Sequence, residues 1–251
     1  IEISDTDRAI EAFLQVVQIR PAFTQAHRQL IDIYLKTEKY ISALLHLKRI
    51  VKTDTNDTSA HISIGQIYTK LKKFKLAIEL LEPIKSRHPN NIRALEALAE
   101  LFYKMGNLDR SITEYRNILE QSPKHLPSYV QLGWVHYRKG EFQMATAWTK
   151  RGLKLGTPSP KITLLADMNL GLYSWLNGDH ASAKNFYRKA LINESKDIIK
   201  AILDDLKETT RLFPERTESY FFTGWVYAKV GKNEMALPHL KRFLMLAPDS
   251  K

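Results

Sequence analysis

The sequence predicts an all-α fold, an α-α superhelix of antiparallel helix pairs, from three series of residues that recur every thirty-four positions. One series is small or aliphatic, one is small and one is aromatic or histidine. The series are Ile31, Gly65, Ala99 and Gly133; Ala43, Ala77, Ser111 and Ala145; and Tyr34, Tyr68, Phe102 and His136. A fixed period of this length predicts one supersecondary unit copied in tandem, with each copy touching mainly its neighbours.

Residues 58–91 show how one copy is built. Tyr68 lies about one helical turn after Gly65, and a lysine-rich break separates this helix from a second one. In the second helix Ala77 and Leu81 share an apolar face at helical spacing, and Pro89 then prevents continuation. Gly65 and Ala77 are small because two antiparallel helices approach closely only where their side chains are short.

The later copies repeat this order, with Leu132-Gly133, His136, Gly140 and Ala145 in the fourth. The pattern resembles the tetratricopeptide repeat, which has a Leu-Gly pair, an aromatic residue three positions later, a small residue nine after that and a late proline. The resemblance implies a single elongated domain over residues 1–251. A half repeat at 1–22 precedes copies at about 24–57, 58–91, 92–125, 126–160, 164–195 and 217–250.

Two segments break the period. Residues 156–160 read Gly-Thr-Pro-Ser-Pro, which predicts a loop, and an apolar stripe predicts an extra helix at about 196–213. Either the preceding helix runs on into this segment, or residues 193–197 interrupt it and Asp197 caps a new helix; we favour the interruption. A degenerate repeat that lost its first helix is a further alternative. Each version predicts an offset between the fifth and last copies.

Composition limits the function classes. The chain carries a net charge of +11 and no cysteine, which excludes disulfides, thiolate metal sites and a cysteine nucleophile. No apolar run reaches membrane-spanning length, so we expect a soluble segment. Cytoplasm and periplasm both tolerate a chain without cysteine, so the compartment stays unknown at this stage. The first residue is not methionine, the chain opens inside a repeat, and it ends just after the second helix of a repeat with no polar capping helix. These features predict a piece of a longer protein.

We find no motif for catalysis, a metal or a cofactor, and we expect no enzymatic activity. The eight histidines include no pair three or four apart, so no helix presents two of them to one metal ion. His136 takes an aromatic repeat position, which favours a packed core histidine. Asp204, Asp205 and Glu208 form a short acidic face that we interpret as a solvated helix flank rather than a carboxylate pair.

The resemblance implies that certain positions of each first helix face a concave, ligand-binding groove. In the first three copies these positions form a polar wall of mixed charge. They include Arg28, Asp32, Lys36, Ser63, Gln66, Lys70, Arg93, Glu96, Glu100 and Lys104. In the last three copies they are mostly large and apolar. They are Val130, Trp134, Tyr137, Arg138, Met168, Leu172, Trp175, Phe221, Phe222 and Trp225.

These apolar positions predict a protein partner, because exposed apolar clusters mark contact sites and Trp, Tyr and Arg dominate interface energetics. We expect a peptide or helix to be held by Trp134, Tyr137, Trp175, Phe221 and Trp225, while Arg138 binds an acidic group. The alternative is that these rings form core, because buried and interface aromatics look alike in sequence.

We considered three other functions, of which two remain as alternatives. Nucleic acid would bind the basic stretch at 124–161, with bases stacked on Trp134 and Tyr137. A regulatory arm would serve an enzyme whose catalytic domain lies outside this segment. A clamp for chaperone C-terminal carboxylates, known from some relatives, uses Lys and Asn across two or three copies. The matching positions here are Arg28, Asp32, Ser63, Arg93 and Ala97, so the asparagines are absent and we do not expect that ligand.

Overall fold

The computed structural model describes residues 5–155, 159–192 and 195–248, and these contain fourteen helices and no strand. The all-α prediction is therefore confirmed. The helices are α1 (Asp5–Ile19), α2 (Thr24–Lys36), α3 (Tyr40–Thr53), α4 (Thr58–Lys70), α5 (Phe74–Arg87), α6 (Ile92–Lys104), α7 (Leu108–Gln121), α8 (Leu126–Arg138), α9 (Phe142–Leu155), α10 (Pro160–Leu176), α11 (His180–Ala190), α12 (Lys196–Leu212), α13 (Glu218–Lys229) and α14 (Asn233–Leu246).

The chain divides into two compact units, Ile1–Ser128 and Tyr129–Lys251, which we call unit 1 and unit 2. The predicted single elongated domain concerns how these units sit together, and it stays a prediction. Residues 156–158 of the predicted loop and residues 193–194 of the predicted helix interruption lie outside the described residues. α12 begins after that second gap, at Lys196.

The turns within the helix pairs share one backbone conformation. Glu38 and Lys72 have φ angles of 56° and 57°, and glycines at the matching repeat position have φ angles between 74° and 81°. This left-handed conformation lets the chain reverse between two helices, and glycine adopts it without a Cβ penalty. The glycines are Gly106, Gly140, Gly178 and Gly231.

Close helix approach explains the small residues of the repeat. A Cβ atom at Gly65 would lie 2.6 Å from the Leu81 side chain in unit 1. A Cβ atom at the matching Gly133 of unit 2 would overlap Thr149 Oγ1 and lie 2.9 Å from the Ala145 carbonyl oxygen. Each glycine therefore allows the first helix of a pair to pack directly on the second.

The cores of the two units differ in composition. Unit 1 has two aliphatic clusters, around Leu30 and Leu47 and around Leu81 and Leu98. Unit 2 has an aromatic-rich cluster from α8, α10, α11 and α13, to which α12 contributes Ile202 and Leu206. The helix outside the regular repeats is therefore part of the core of unit 2.

Candidate functional site

In unit 2, α12 lies against the positions of α8 that the resemblance assigns to the groove. Tyr137 Oη and Thr209 Oγ1 share a hydrogen bond of 2.9 Å, and the Tyr137 ring packs edge-on against Phe213 at 5.8 Å between centroids. Arg138 Nη1 donates a hydrogen bond of 2.9 Å to Glu208 Oε1. The chain thus supplies its own amphipathic helix to this face.

Four of the eight predicted peptide contacts are buried by the chain itself. Val130, Tyr137, Leu172 and Trp175 are each at most 2% exposed. Of these four, the last three pack in one cluster with Ile202 and Leu206 of α12, and a ligand does not reach their side chains in this structure. The expectation that they line an open groove is therefore corrected, and the alternative that the rings form core describes them.

Met168 and Phe222, which share the groove-facing pattern, are buried in the same cluster. The Trp175 and Phe222 rings lie 5.3 Å apart between centroids. The sequence pattern placed these residues on the correct helix face. It did not show that α12 covers that face, because α12 lies in the segment that breaks the thirty-four-residue period.

The three remaining aromatic positions are half-buried and dispersed. The Trp134 ring lies 4.9 Å from Tyr137, at the edge of the cluster. Phe221 packs 5.5 Å from Phe243 of α14, and Lys229 Nζ lies 5.8 Å above the Trp225 ring. All three side chains pack against the buried cluster of unit 2, each beside a different ring or cation.

The acidic group that we predicted for Arg138 is Glu208 of the same chain. Arg211 binds the same carboxylate, with Nη2 2.7 Å from Oε1. The hydrogen bond from Arg211 first, with Arg138 adding to it, holds the pKa of Glu208 below its usual value. A partner's carboxylate would have to displace this pair, so the structure corrects the expected role of Arg138.

The acidic face of α12 is only partly the solvated flank that we predicted. Asp204 is exposed and Glu208 is ion-paired, whereas Asp205 points inward. Burial, followed by repulsion from Asp204 and Glu208, raises the pKa of the Asp205 carboxyl to about 7.

The prediction that His136 is a packed core histidine is confirmed. This residue is 4% exposed, and its Nδ1 atom lies 2.5 Å from Glu141 Oε2 in a hydrogen bond.

A cavity of about 220 Å³ opens between α8, α10 and α12. Its lining combines apolar side chains with one carboxylate and two amides, and we call it the α12 cavity. It is lined by Val130, Gln131, Trp134, Leu165, Asn169 and Asp205. Two of the predicted contact residues, Val130 and Trp134, are therefore brought together with polar groups that our sequence reasoning missed.

Asn169 is the unusual residue of this cavity. Its side chain is 3% exposed, and its Oδ1 atom has no hydrogen-bond partner among the described residues. A buried polar atom without a partner costs about 1–3 kcal/mol, and such groups are rare in native structures. The sequence does contain a sign of this site, because Asn169 is an asparagine within a mostly apolar stretch. The structure shows that this stretch, Met168–Leu176 of α10, is buried.

The predicted polar wall of unit 1 is internally paired. Lys70 Nζ donates a hydrogen bond of 2.7 Å to Glu100 Oε1, and Arg93 Nη1 donates one of 2.8 Å to Ser59 Oγ. The bond to Glu100 raises the pKa of Lys70. Both contacts join neighbouring repeats, and in the Lys70–Glu100 pair two opposite charges of the wall offset each other.

The basic residues of unit 2 make local contacts as well. Lys139 Nζ lies 3.2 Å from Glu141, and the Arg151 guanidinium lies 5.6 Å from the Trp148 ring. Tyr137 is fully buried, so it cannot serve as the predicted platform for a nucleic-acid base.

Among the described residues, no helix has the length and apolarity to cross a membrane. In the same residues, no group of three His, Asp or Glu side chains is arranged around a metal position.

Comparison with known families finds the tetratricopeptide repeat twice, at residues 68–132 and 168–191. These matches fall in both units and confirm the resemblance seen in the sequence. No curated protein sequence matches the chain.

Solved structures share the fold at low sequence identity. A thermophilic tetratricopeptide repeat protein of Thermus thermophilus is 21% identical with a TM-score of 0.62, over 73% of this chain and 98% of that one. PilW, a type IV pilus biogenesis factor, is 13% identical with a TM-score of 0.63, over 79% and 91%. The APC/C hetero-tetramer Cut9-Hcn1 is 16% identical with a TM-score of 0.59, over 96% of this chain and 50% of that one. These likenesses show the fold alone.

Proposed function

We propose, from the premise that this chain is a tetratricopeptide repeat protein, that it is a non-enzymatic scaffold for protein interaction. A peptide or helix of the partner binds at the open edge of the unit 2 groove, beside α12. The observation that carries this proposal is α12 itself, because this face of α8 already holds an amphipathic helix through apolar and charged contacts.

The contacts of α12 describe what this face recognises. Ile202 and Leu206 stand four residues apart and enter the aromatic cluster, while Glu208, two residues after Leu206, binds Arg138. This is the pattern of a helix in a groove, with apolar anchors and a flanking ion pair. A partner segment that lies beside α12 would meet the same kind of surface.

The open edge offers suitable anchors. Trp134 is half-buried, and Leu165 is 41% exposed on the opposite side of the α12 cavity. Tryptophan at such an edge combines a large apolar area with few rotatable bonds, which makes it a frequent interface hot spot. One structural neighbour was crystallised as a hetero-tetramer, and we propose that this chain also works within a larger assembly.

Affinity capture with substituted chains tests this function. The bait carries Trp134→Ala with Trp225→Ala, and the matched control carries Ile192→Ala, which removes an apolar side chain that is 73% exposed elsewhere in unit 2. We expect a discrete protein to be retained by the control but lost from the double variant. Unchanged capture by a folded double variant contradicts the proposal.

Salt separates this function from nucleic-acid binding. Apolar capture survives high salt, whereas contacts to phosphates weaken steeply because binding releases counterions. We expect the retained protein to persist at high salt. Retention of nucleic acid alone, with loss on raising the salt, would favour the basic region at 124–161 instead.

A further inference from the structure

The α12 cavity is a negative site in a basic chain. The net charge of the chain is +11, yet the one charged side chain that lines this cavity is Asp205. No hydrogen bond to its carboxylate is found among the described residues. By contrast, the nearby carboxylate of Glu208 binds both Arg138 and Arg211. The cavity therefore has an acidic group without a matching cation.

The second polar group in the wall also needs a donor. Asn169 Oδ1 is buried and has no partner among the described residues, and rotation of the amide about χ2 turns this oxygen toward either side. Trp134 adds an aromatic ring to the same lining. Two oxygen acceptors and an indole ring together suit a ligand that donates hydrogen bonds, carries positive charge and stacks on aromatic faces.

Size narrows the ligand further. Sites for small molecules usually span about 300–1,000 Å³, so a cavity of about 220 Å³ fits a single side chain better than a free metabolite. A metal ion is disfavoured because the lining supplies one carboxylate, and Mg²⁺ or Ca²⁺ takes six or more oxygen ligands. Arginine fits best, since its planar guanidinium has five donors and stacks on aromatic rings.

We propose that the α12 cavity binds an arginine side chain of the partner segment, with the guanidinium held by the Asp205 carboxylate and Asn169 Oδ1 against the Trp134 ring. The inference rests on the proposed function, because the arginine belongs to the peptide or helix that lies beside α12. It gives the partner a stated chemistry: a basic residue next to apolar anchors.

The protonation state of Asp205 supports this assignment. Burial keeps its carboxyl partly protonated near neutral pH, with a pKa of about 7, and a bound cation would favour the ionised form. Around it, Asp204 and Glu208 lie on α12, Tyr137 on α8 and Tyr187 on α11. Both phenols have a pKa raised mainly by burial and stay neutral, and Glu208 has a lowered pKa and stays ionised.

A small probe tests the cavity without the partner. The probe is N-acetyl-arginine-methylamide, and its control is the citrulline analogue, which keeps the shape but has no charge. Binding is followed by NMR through the indole N–H signals of the four tryptophans, with Trp134→Phe identifying the relevant one. We expect the arginine probe to shift the Trp134 signal with saturation in roughly the millimolar range, and the citrulline probe to leave it unchanged.

Two substitutions that each replace one carboxyl group with an amide make the test more specific. Asp205→Asn should weaken the arginine probe at least about tenfold, whereas Asp204→Asn, one residue away and exposed, should change its affinity by no more than about twofold. Wild-type chain should bind about tenfold more weakly at pH 6 than at pH 8, because protonation of Asp205 competes with the cation. This pH arm needs no variant to fold.

Several results would overturn the assignment. They are equal binding of both probes, equal weakening by the two Asn variants, no dependence on pH, or no shift with either probe, which would leave the cavity to solvent. The failure of the proposed function is a different result, since it is unchanged capture by the Trp134→Ala, Trp225→Ala bait. Probe binding with unchanged capture would contradict the groove function and support the cation site alone.

Discussion

Unit 1 and unit 2 use the same repeat and fill it differently. In unit 1, regular helix pairs pack through aliphatic side chains, and the predicted groove positions carry mutually paired charges such as Lys70 and Glu100. In unit 2, large aromatic residues occupy the corresponding positions, and α12 covers them. α12 therefore makes core of the face that the resemblance assigns to ligand binding, and it leaves only the edge of that face accessible.

The difference shows that residue type at a groove position does not settle exposure. Tyr137 and Trp175 have the chemistry of interface anchors, yet both are buried. Their partners are Ile202 and Leu206 of α12, which lie well outside the repeat that contains either ring. The aromatic side chains at the groove positions of unit 2 and the apolar side chains of α12 therefore form one packed core.

Removing an apolar side chain of α12 should cause the largest loss of stability, and it should affect unit 2 much more than unit 1. Leu206 is fully buried, so Leu206→Ala should destabilise unit 2 by about 2–5 kcal/mol, through lost burial and a residual cavity. Hydrogen exchange should show lost protection in α12 and its neighbours, with unit 1 little changed. Lys207→Ala, an exposed neighbour, is the control. Equal loss in both units would contradict the comparison.

The matching glycines of the two units should respond unequally to a methyl group. At Gly133 the added Cβ meets a backbone carbonyl, which cannot move away, so Gly133→Ala should cost about 1–3 kcal/mol. At Gly65 it meets only the flexible end of Leu81, so Gly65→Ala should cost less. Urea unfolding of both variants measures the difference. A larger loss of unfolding free energy for Gly65→Ala than for Gly133→Ala would contradict the close contact between position 133 and the Ala145 carbonyl oxygen.

Asp205 should make unit 2 less stable as the pH rises. Its folded pKa of about 7 lies above the reference value of 3.8, so the unfolded chain loses the proton first and stability falls between about pH 4 and pH 7. Asp205→Asn should therefore stabilise by about 1–2 kcal/mol at pH 7.5, after a discount for partial solvent exposure, and by much less at pH 4.5.

Thermal unfolding at the two pH values checks this prediction, with Asp204→Asn as the control. A gain in stability together with the loss of arginine binding would identify Asp205 as a group kept for function at a cost in stability. If Asp205→Asn lowers the melting temperature at pH 7.5, the carboxylate has a stabilising partner and the burial argument is wrong.

Unit 1 should respond to pH with the opposite sign. His27 and His46 lie with their Nδ1 atoms 2.9 Å apart, and burial, followed by repulsion from His27, lowers the pKa of His46. The unfolded chain then binds the proton more tightly, so stability is lost as the pH falls below about 6.5. His46→Gln should reduce this slope in hydrogen exchange of unit 1. A slope that persists would assign it to other groups.

The smallest expected effect lies in the turns. Lys72 holds the left-handed conformation that glycine takes at the same position in later repeats, so Lys72→Gly should stabilise unit 1 by about 1 kcal/mol or less. Lys75→Gly, at an exposed position inside α5, should destabilise instead, because glycine is unfavourable within a helix. Urea midpoints compare the two. A destabilising Lys72→Gly would contradict the strain argument.

The repeat grammar predicted the fold because its signals are local. Gly65, Tyr68 and Ala77 report contacts within one helix pair, and each copy repeats them. The site was harder to predict because it depends on a contact across 70 residues, between Arg138 and Glu208. The inward turn of Asp205 could not be seen for the same reason: it shares a helix with exposed Asp204, and only packing tells them apart.

The position of α12 in the unit 2 groove is the central claim, and cross-linking tests it most directly. The chain has no cysteine, so Arg138→Cys with Glu208→Cys creates one defined pair for a short bis-maleimide reagent. Arg138→Cys with Lys200→Cys is the control, since residue 200 lies about 12 Å from residue 208 toward the start of α12. We predict rapid intramolecular cross-linking of the 138–208 pair alone, lost in urea. Equal or absent cross-linking of both pairs would contradict the account.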